Sequence, residues 1–441
     1  LKSSNIEGPD YYEFADSFSK LEGEPISEDR KYKNILSVFS SMGATTQKII
    51  DGRHNDKSQY AKPYVILISA DGFRADFAKL YDAQFLNSIS KKGVRANFMT
   101  PSFPSLTFPN HYSIVTGLYP SHHGLVNNTF YDNARGEEYR MGNPKTVQDG
   151  SWYGGTPLWV LAEKQKMLSA SFYWVASEAA IQDTRPTYYY VYNVKISMEN
   201  RIKVVKKWLS LPEDQRPHLI TFYLPEVDHE AHDYGPNDKH VADAVKFVDS
   251  SVNALQKELS SLHLPINYIF VSDHGMTKVD NEKSLGMPAA VDTAAFRVPW
   301  GDALIHLYAK DKSKIESTYQ ALKKDSSIAV YKLDETPDYW HFKTSDDKFN
   351  RLGDLIVVPK FPKVFNFSTR KTTPGKHGFD NHTTDMRATF IAWGPAFKSD
   401  LTIGDFENVH IYPMIAKILG LKVDPKSIDG RIEVLNAILK N

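Results

Sequence analysis

The pattern of hydrophobic and polar positions changes character near residue 60. Before it, Tyr11 to Leu21 and Ile35 to Ile50 carry helix-like apolar spacing within polar, mixed sequence. Residues 1–60 therefore read as an N-terminal extension, helical and packed on the core of the chain. Then Tyr64-Val65-Ile66-Leu67-Ile68 runs apolar without a break and closes on Asp71-Gly72. An unbroken run of that length predicts a strand buried on both faces, as in a parallel sheet covered by helices. Leu219 to Leu224 repeats the pattern ahead of an acidic stretch reaching Asp228, and Tyr268 to Ser272 repeats it ahead of Asp273-His274-Gly275. Val241 to Leu262 between them has helical spacing, Ala388 to Trp393 reads as a returning strand and Val409 to Leu419 as a final helix. This alternation predicts a doubly wound α/β fold, a mostly parallel sheet flanked by helices. From Lys278 to Met386 the rhythm weakens around several prolines, which predicts a smaller inserted lobe in a catalytic domain spanning 61–441.

Composition narrows the chemistry. The chain has 441 residues with 53 Lys+Arg against 53 Asp+Glu, so net charge gives no warrant for stable nucleic-acid binding. It has no cysteine, which excludes a cysteine nucleophile and any thiolate metal site. No apolar run approaches the roughly 18 residues of a spanning helix. The chain starts at Leu1, and we expect an exported, processed product.

In a doubly wound sheet, ligands bind beyond the carboxyl ends of the strands. Three such ends here carry carboxylates: Asp71, Asp228 and Asp273, the last followed by His274. Asp228 and His232 share a face if PEVDHEAHDYGP is helical, whereas His229 does not. Each residue also has an ordinary explanation: a turn or cap aspartate for Asp71, a cap histidine for His274, a surface ion pair for Asp228–His232. His377 and His382 both lie in or near a glycine-flanked loop, and spacing does not choose between them. Pro109 and Gly117 bracket a helix that puts Thr107 at its N-terminus, a position that favours anions. A threonine hydroxyl is a poor nucleophile until its pKa is lowered, which a bound dication achieves. Nitrogen and oxygen donors without thiolates suit two zinc-like ions.

The segments ISADGF, PSFPSLTFPNHYSIVTGLYPSHHGLVNNTFYD, GGTPLWVLAEKQ, FYWVASE, LPEVDHEAHDYGP, VSDHGM and GKHGFDN, with WGPAF downstream, resemble the nucleotide pyrophosphatase/phosphodiesterase family of the alkaline phosphatase superfamily. They run in the family's order from about residue 64 to 415, leaving residues 1–60 unmatched. The resemblance implies two Zn2+ per chain, one held by Asp228, His232 and His377, the other by Asp71, Asp273 and His274. The GKHGFDN match selects His377 over His382. Thr107 would be the nucleophile on the second ion, Asn128 would hold a phosphoryl oxygen beside the Thr107 N–H, and hydrolysis would pass through a phospho-threonine. Glu226-Val227-Asp228 stands where the family often has Glu-Pro-Asp, which keeps the ligand. The chain resembles short, catalytic-domain-only members, and its lack of the cysteines of animal members points to a bacterial, periplasmic protein.

The substrate class is read from the neighbours of Thr107. Superfamily phosphomonoesterases place an arginine beside the nucleophile; here the neighbour is Phe108. Sulfatases need C/S-x-P-x-R, and Ser102-Phe103-Pro104-Ser105 ends in Leu106. An apolar neighbour suits a diester, and Phe108 and Tyr189 match the family positions that stack a nucleotide base. Stacking contributes on the order of 1–3 kcal/mol per base. We therefore expect hydrolysis of nucleotide phosphoanhydrides or diesters to 5′-mononucleotides, with a choline-phosphate lipid held by cation–π contacts as the alternative substrate and an inactive metal-binding relative as the alternative class. Of the sequons at Asn127, Asn366 and Asn381, the first and last fall beside the proposed site and are expected to be unmodified.

Overall fold

The computed structural model describes residues 47–440. Nine strands make the central sheet or its edges: β1 (Lys48–Ile49), β2 (Tyr64–Ala70), β3 (Val94–Ala96), β4 (Ser169–Phe172), β5 (Tyr188–Tyr190), β6 (Leu219–Leu224) and β7 (Ile266–Val271), then, beyond the lobe, β12 (Phe390–Trp393) and β13 (Leu401–Ile403). Their order is β1-β5-β4-β6-β2-β7-β12-β3-β13. The centre, β5-β4-β6-β2-β7, is parallel throughout, while β12 runs antiparallel to both β7 and β3. Strand β2 explains its own apolar run: Val65 and Leu67 enter the core on one face, and Tyr64, Ile66, Ile68 and Ala70 enter the core on the other. Burying each large aliphatic side chain contributes about 1.5–3 kcal/mol, so the run anchors the sheet.

The helices that matter for the site are α1 (Gln84–Lys92), α2 (Thr107–Thr116), α3 (Leu158–Lys164), α4 (Met198–Leu209), α5 (Glu226–Tyr234), α6 (Lys239–Ser260), α7 (Ile315–Leu322) and α8 (Ile411–Leu419). Helix α6 starts two residues before the hydrophobic pattern predicts, because the Asp238 carboxylate accepts the His240 N–H at 3.0 Å and caps it. A 3-10 turn over Asn408–His410 leads into α8, which Gly420 closes in the left-handed region at φ 69°.

Two expectations are changed. The helix predicted over Ile35 to Ile50 ends in a strand: Lys48 and Ile49 pair with Tyr189 and Tyr188, because the open edge of β5 needs backbone partners. The rest of that segment and Tyr11 to Leu21 lie outside the described residues. The lobe is also more regular than its prolines suggest. It holds an antiparallel sheet of β8 (Phe296–Arg297), β9 (Ile305–Ala309), β10 (Ile328–Lys332) and β11 (Leu355–Pro359), in the order β8-β9-β11-β10. With α7 it closes a core of its own around Phe296, Ile305, Leu307, Leu322, Leu355 and Val357. At the lobe's two ends, Thr277–Lys278 pairs antiparallel with Gly375–Lys376. Among the described residues, no helix is long and apolar enough to cross a membrane.

Candidate metal and phosphoester centre

The carboxyl ends of β2, β6 and β7 converge. Asp71 directly follows β2, Asp273 follows β7 after one serine, and Asp228 is the third residue of α5, which starts just past β6. Gly72 makes this possible: at φ 64°, a Cβ there would stand 3.1 Å from Asp228 Cα and Oδ1. His232 lies one turn beyond Asp228 on α5, as its spacing predicts. His377 arrives from the lobe, just after Gly375–Lys376. A Cβ on Gly375 would lie 1.8 Å from the Ala231 carbonyl oxygen, so only glycine lets this strand lie against α5.

All six predicted donors gather. His274 Nε2 is 2.9 Å from Asp273 Oδ2 and 3.4 Å from Asp71 Oδ1. His232 Nε2 is 3.5 Å from Asp228 Oδ2, and His377 Nε2 is 3.7 Å from Asp228 Oδ1 and 3.1 Å from His232 Nε2. The His274 and His377 rings stack at 3.6 Å. Two groups of donor atoms are each compact enough for one ion: Asp71, Asp273 and His274, and Asp228, His274 and His377. His274 belongs to both, so the two positions adjoin, and His232 borders the second.

The chemistry of these donors fits cations. Each histidine is 2.8–2.9 Å through Nδ1 from a backbone carbonyl: His232 to Gly375 O, His274 to Gly275 O and His377 to Ser105 O. Those bonds put the proton on Nδ1 and turn the Nε2 lone pairs into the cluster, the tautomer that metal-ligating histidines adopt. Three buried carboxylate oxygens, Asp71 Oδ1, Asp228 Oδ1 and Asp273 Oδ2, have no hydrogen-bond donor. Buried unpaired anionic oxygens are costly, and a dication would satisfy them. Electrostatics divide the histidines: against the pull of burial, Asp273 raises His274, while His232 and His377 are lowered. Burial, then Asp273 and Asp228, push Asp71 well above the usual carboxylate range. Burial works against the charge on Asp273, but His274 and His111 beside it hold its carboxyl well below that range. Burial, with His274 and His232 nearby, pushes His377 well below an ordinary histidine, and burial lowers His232 as well, so both present neutral donors.

Thr107 is the first residue of α2, and its Oγ1 lies 3.2 Å from His274 Nε2. Asn128 Oδ1 accepts the Phe108 N–H at 3.0 Å, and Pro109 has no N–H to offer. Among the described residues the Thr107 N–H, one residue before the Phe108 N–H that Asn128 accepts, makes no backbone hydrogen bond outside α2. Phe108 is half-buried, its ring centroid 6.3 Å from that of Tyr139.

Not every candidate arrives. Tyr189 stays inside β5, paired with Lys48 and Ser171, and makes no ring or hydrogen-bond contact to the cluster. Tyr192, three residues on and past the strand's end, packs its ring 6.1 Å from Tyr223, whose hydroxyl donates to Asp71 Oδ2 at 2.5 Å. His382 is exposed and stacks on Tyr339, and His229 is exposed on the outer face of α5. Tyr223, Tyr192 and His111 were not singled out by the sequence. The signals available were the strand-end position of Tyr223, the place of Tyr192 just past β5, and the four-residue spacing of Thr107 and His111.

The profile of the type I phosphodiesterase / nucleotide pyrophosphatase family matches residues 65–380. The chain belongs to this family. Human ectonucleotide pyrophosphatase/phosphodiesterase family member 1 is 34% identical over 399 residues, covering 87% of this chain and 42% of that protein. A venom phosphodiesterase of Macrovipera lebetinus is 32% identical over 398 residues, covering 87% and 46%. An uncharacterised pyrophosphatase/phosphodiesterase of Schizosaccharomyces pombe is 31% identical over 398 residues, covering 86% and 81%. The chain thus spans less than half the length of the first two family relatives. Murine ectonucleotide pyrophosphatase/phosphodiesterase 5, an inactive variant in complex with AMP, superposes with a TM-score of 0.80 at 27% identity, covering 86% of this chain and 100% of that one. The shared architecture carries the doubly wound α/β assignment into the family's fold. These relatives are animal and fungal, so the bacterial origin read from the missing cysteines has no support in them. A fold whose cores are closed by apolar packing does without disulfides in any host.

Proposed function

We propose that this chain is a two-zinc phosphodiesterase that hydrolyses nucleotide phosphoanhydrides or phosphodiesters to 5′-mononucleotides through a phospho-threonine. The observation that carries the reading is the Thr107 hydroxyl, 3.2 Å from the inward-facing Nε2 of His274 and beside carboxylate oxygens without donors. Asp71, Asp273 and His274 would hold one zinc and Asp228, His232 and His377 the other, supported by their histidine tautomers and thiol-free donor set. Such a pair supplies Lewis acidity and a lowered pKa for a coordinated hydroxyl.

The chain's own residues do the rest. Thr107 Oγ1 forms the new bond to phosphorus as the bond to the leaving oxygen breaks, and water later displaces the Thr107 oxygen. The Thr107 N–H and the Asn128 amide would hold a phosphoryl oxygen as charge builds on it, a contribution worth about 2.7–4 kcal/mol per donor in comparable sites. The dipole of α2 adds to that preference for an anion. Phe108 offers an apolar face to the second ester substituent, which favours a diester over a doubly charged monoester. Tyr192, whose ring packs 6.1 Å from Tyr223, is a second candidate beside Tyr189 for stacking a base, and AMP in the murine neighbour supports a nucleotide ligand. The names of the relatives, ectonucleotide and venom enzymes, support an exported protein.

Assaying an aryl phosphodiester beside its monoester tests the class, and we expect the diester to turn over faster; faster monoester turnover overturns it. Dinucleotide polyphosphates are expected to outpace choline phosphodiesters. Inert nucleotides with active choline diesters would reassign the substrate. Thr107→Ala is expected to abolish turnover with metal content near two per chain, and full activity would remove Thr107 as nucleophile.

A further inference from the structure

We infer that His111 is a positioning residue that locks the first turn of α2 to the metal-bearing strands and so aims Thr107 at its target. The inference rests on Thr107 being the nucleophile. His111 is fully buried one helical turn after Thr107, on the same face. Its Nδ1 donates to the Thr107 carbonyl oxygen at 3.0 Å, and its Nε2 accepts the Ser69 hydroxyl at 2.8 Å. The same Nδ1 lies 3.2 Å from Asp273 Oδ2. Ser69 sits in β2, two residues before Asp71. One imidazole therefore touches the nucleophile's own residue, a metal-site carboxylate and the strand that delivers another.

The ring has no room to turn. Trp174 and Tyr223 meet it edge-on at 5.1 and 5.2 Å, and Trp174 Nε1 donates to the His111 carbonyl at 3.0 Å. Helix first turns fray because their N–H groups lack intrahelical partners, and α2 has no side-chain N-cap on Leu106. A donor gripping the Thr107 carbonyl from inside the helix ties that turn, through the same ring, to Ser69 and Asp273. The backbone of Thr107 is then held from one side by His111 and that of Phe108 from the other by Asn128.

Three variants test this. His111→Phe keeps a buried ring and removes its polar contacts to Thr107, Ser69 and Asp273. His111→Asn keeps a donor close to the Nδ1 position. Ser69→Ala removes only the hydroxyl behind the ring. Because misplacing a reacting atom by about 1 Å costs on the order of 10²-fold, His111→Phe is expected to lower kcat by about that factor, with KM changed less than about threefold. With zinc in excess, metal content is expected to stay at the wild-type value even if affinity weakens through the lost Asp273 contact, and His111→Asn to recover at least about tenfold of the kcat loss. A native kcat in His111→Phe, or equal loss of kcat and metal in His111→Phe and His111→Asn, overturns the inference. Should His111→Phe fail to fold, Ser69→Ala decides: a fall in kcat at unchanged KM and metal content supports it, and a native kcat overturns it. Thr107→Ala in parallel separates the two readings. An active Thr107→Ala defeats the nucleophile assignment, whereas an inactive one beside a native His111→Phe defeats only the role of His111.

Discussion

The two halves of the donor cluster are built in different ways. Asp71, Asp273 and His274 come from turns at the ends of adjacent parallel strands, and their side chains are at most 2% exposed. Asp228, His232 and His377 come from a helix and from a loop returning out of the lobe, and the His232 side chain is 18% exposed. The first half is held by the central sheet. The second exists only where the lobe's exit strand lies against α5, a contact that also supplies the Gly375 carbonyl fixing the His232 tautomer. One set of donors is therefore fixed by the core, the other by a docking.

His274 belongs to the sheet half and also lies within reach of the Asp228–His377 group, so His274→Ala removes a ligand of one ion and disturbs its neighbour, and is expected to have the largest effect. Activity should fall by about 10³-fold or more, with metal content after dialysis well below that of wild type. If the halves are independent of it, one ion stays bound at wild-type stoichiometry. His377→Ala probes the docked half alone: one metal is lost and one retained, while exposed His382→Ala keeps kcat within about twofold. The reverse order of loss would mean that the wrong loop histidine has been assigned. Tyr223→Phe probes the sheet half, removing the hydroxyl that donates to Asp71. Its expected cost is about 10–100-fold in affinity for one ion, read by competition with a chelator.

The smallest expected effect lies outside both halves. Burial pushes His123 in the main core down to about 3 and His306 in the lobe down to about 4. Their ordinary value of 6.5 is regained on unfolding, so between these values the unfolded chain binds more protons. Stability therefore rises with pH through that window and is lost as pH falls from about 6.5 toward 4. Urea unfolding at stepped pH should show this decline, and His306→Leu should flatten part of it. An unchanged slope in that variant would remove His306 as a source.

The sheet half was the more legible in the sequence. Asp71 and Asp273-His274 stand at the ends of unbroken apolar runs, where period and burial fix both strand and turn. Asp228 and His232 were legible from four-residue spacing once the segment was helical. His377 was not, because its place depends on a lobe whose path no local pattern encodes; family resemblance supplied it. Tyr189 lies within a tyrosine run whose strand, β5, ends at Tyr190, so the motif match alone does not say which ring of the run faces a ligand. Tyr223 and His111 look like ordinary core residues until the partners they bond are known.

The short ladder between Thr277–Lys278 and Gly375–Lys376 makes the lobe a parenthesis in the chain, opened and closed at one point. Whatever length is written inside those brackets, His274 just before them and His377 just after them remain neighbours. The chain can thus lengthen or shorten inside those brackets without parting the two histidines.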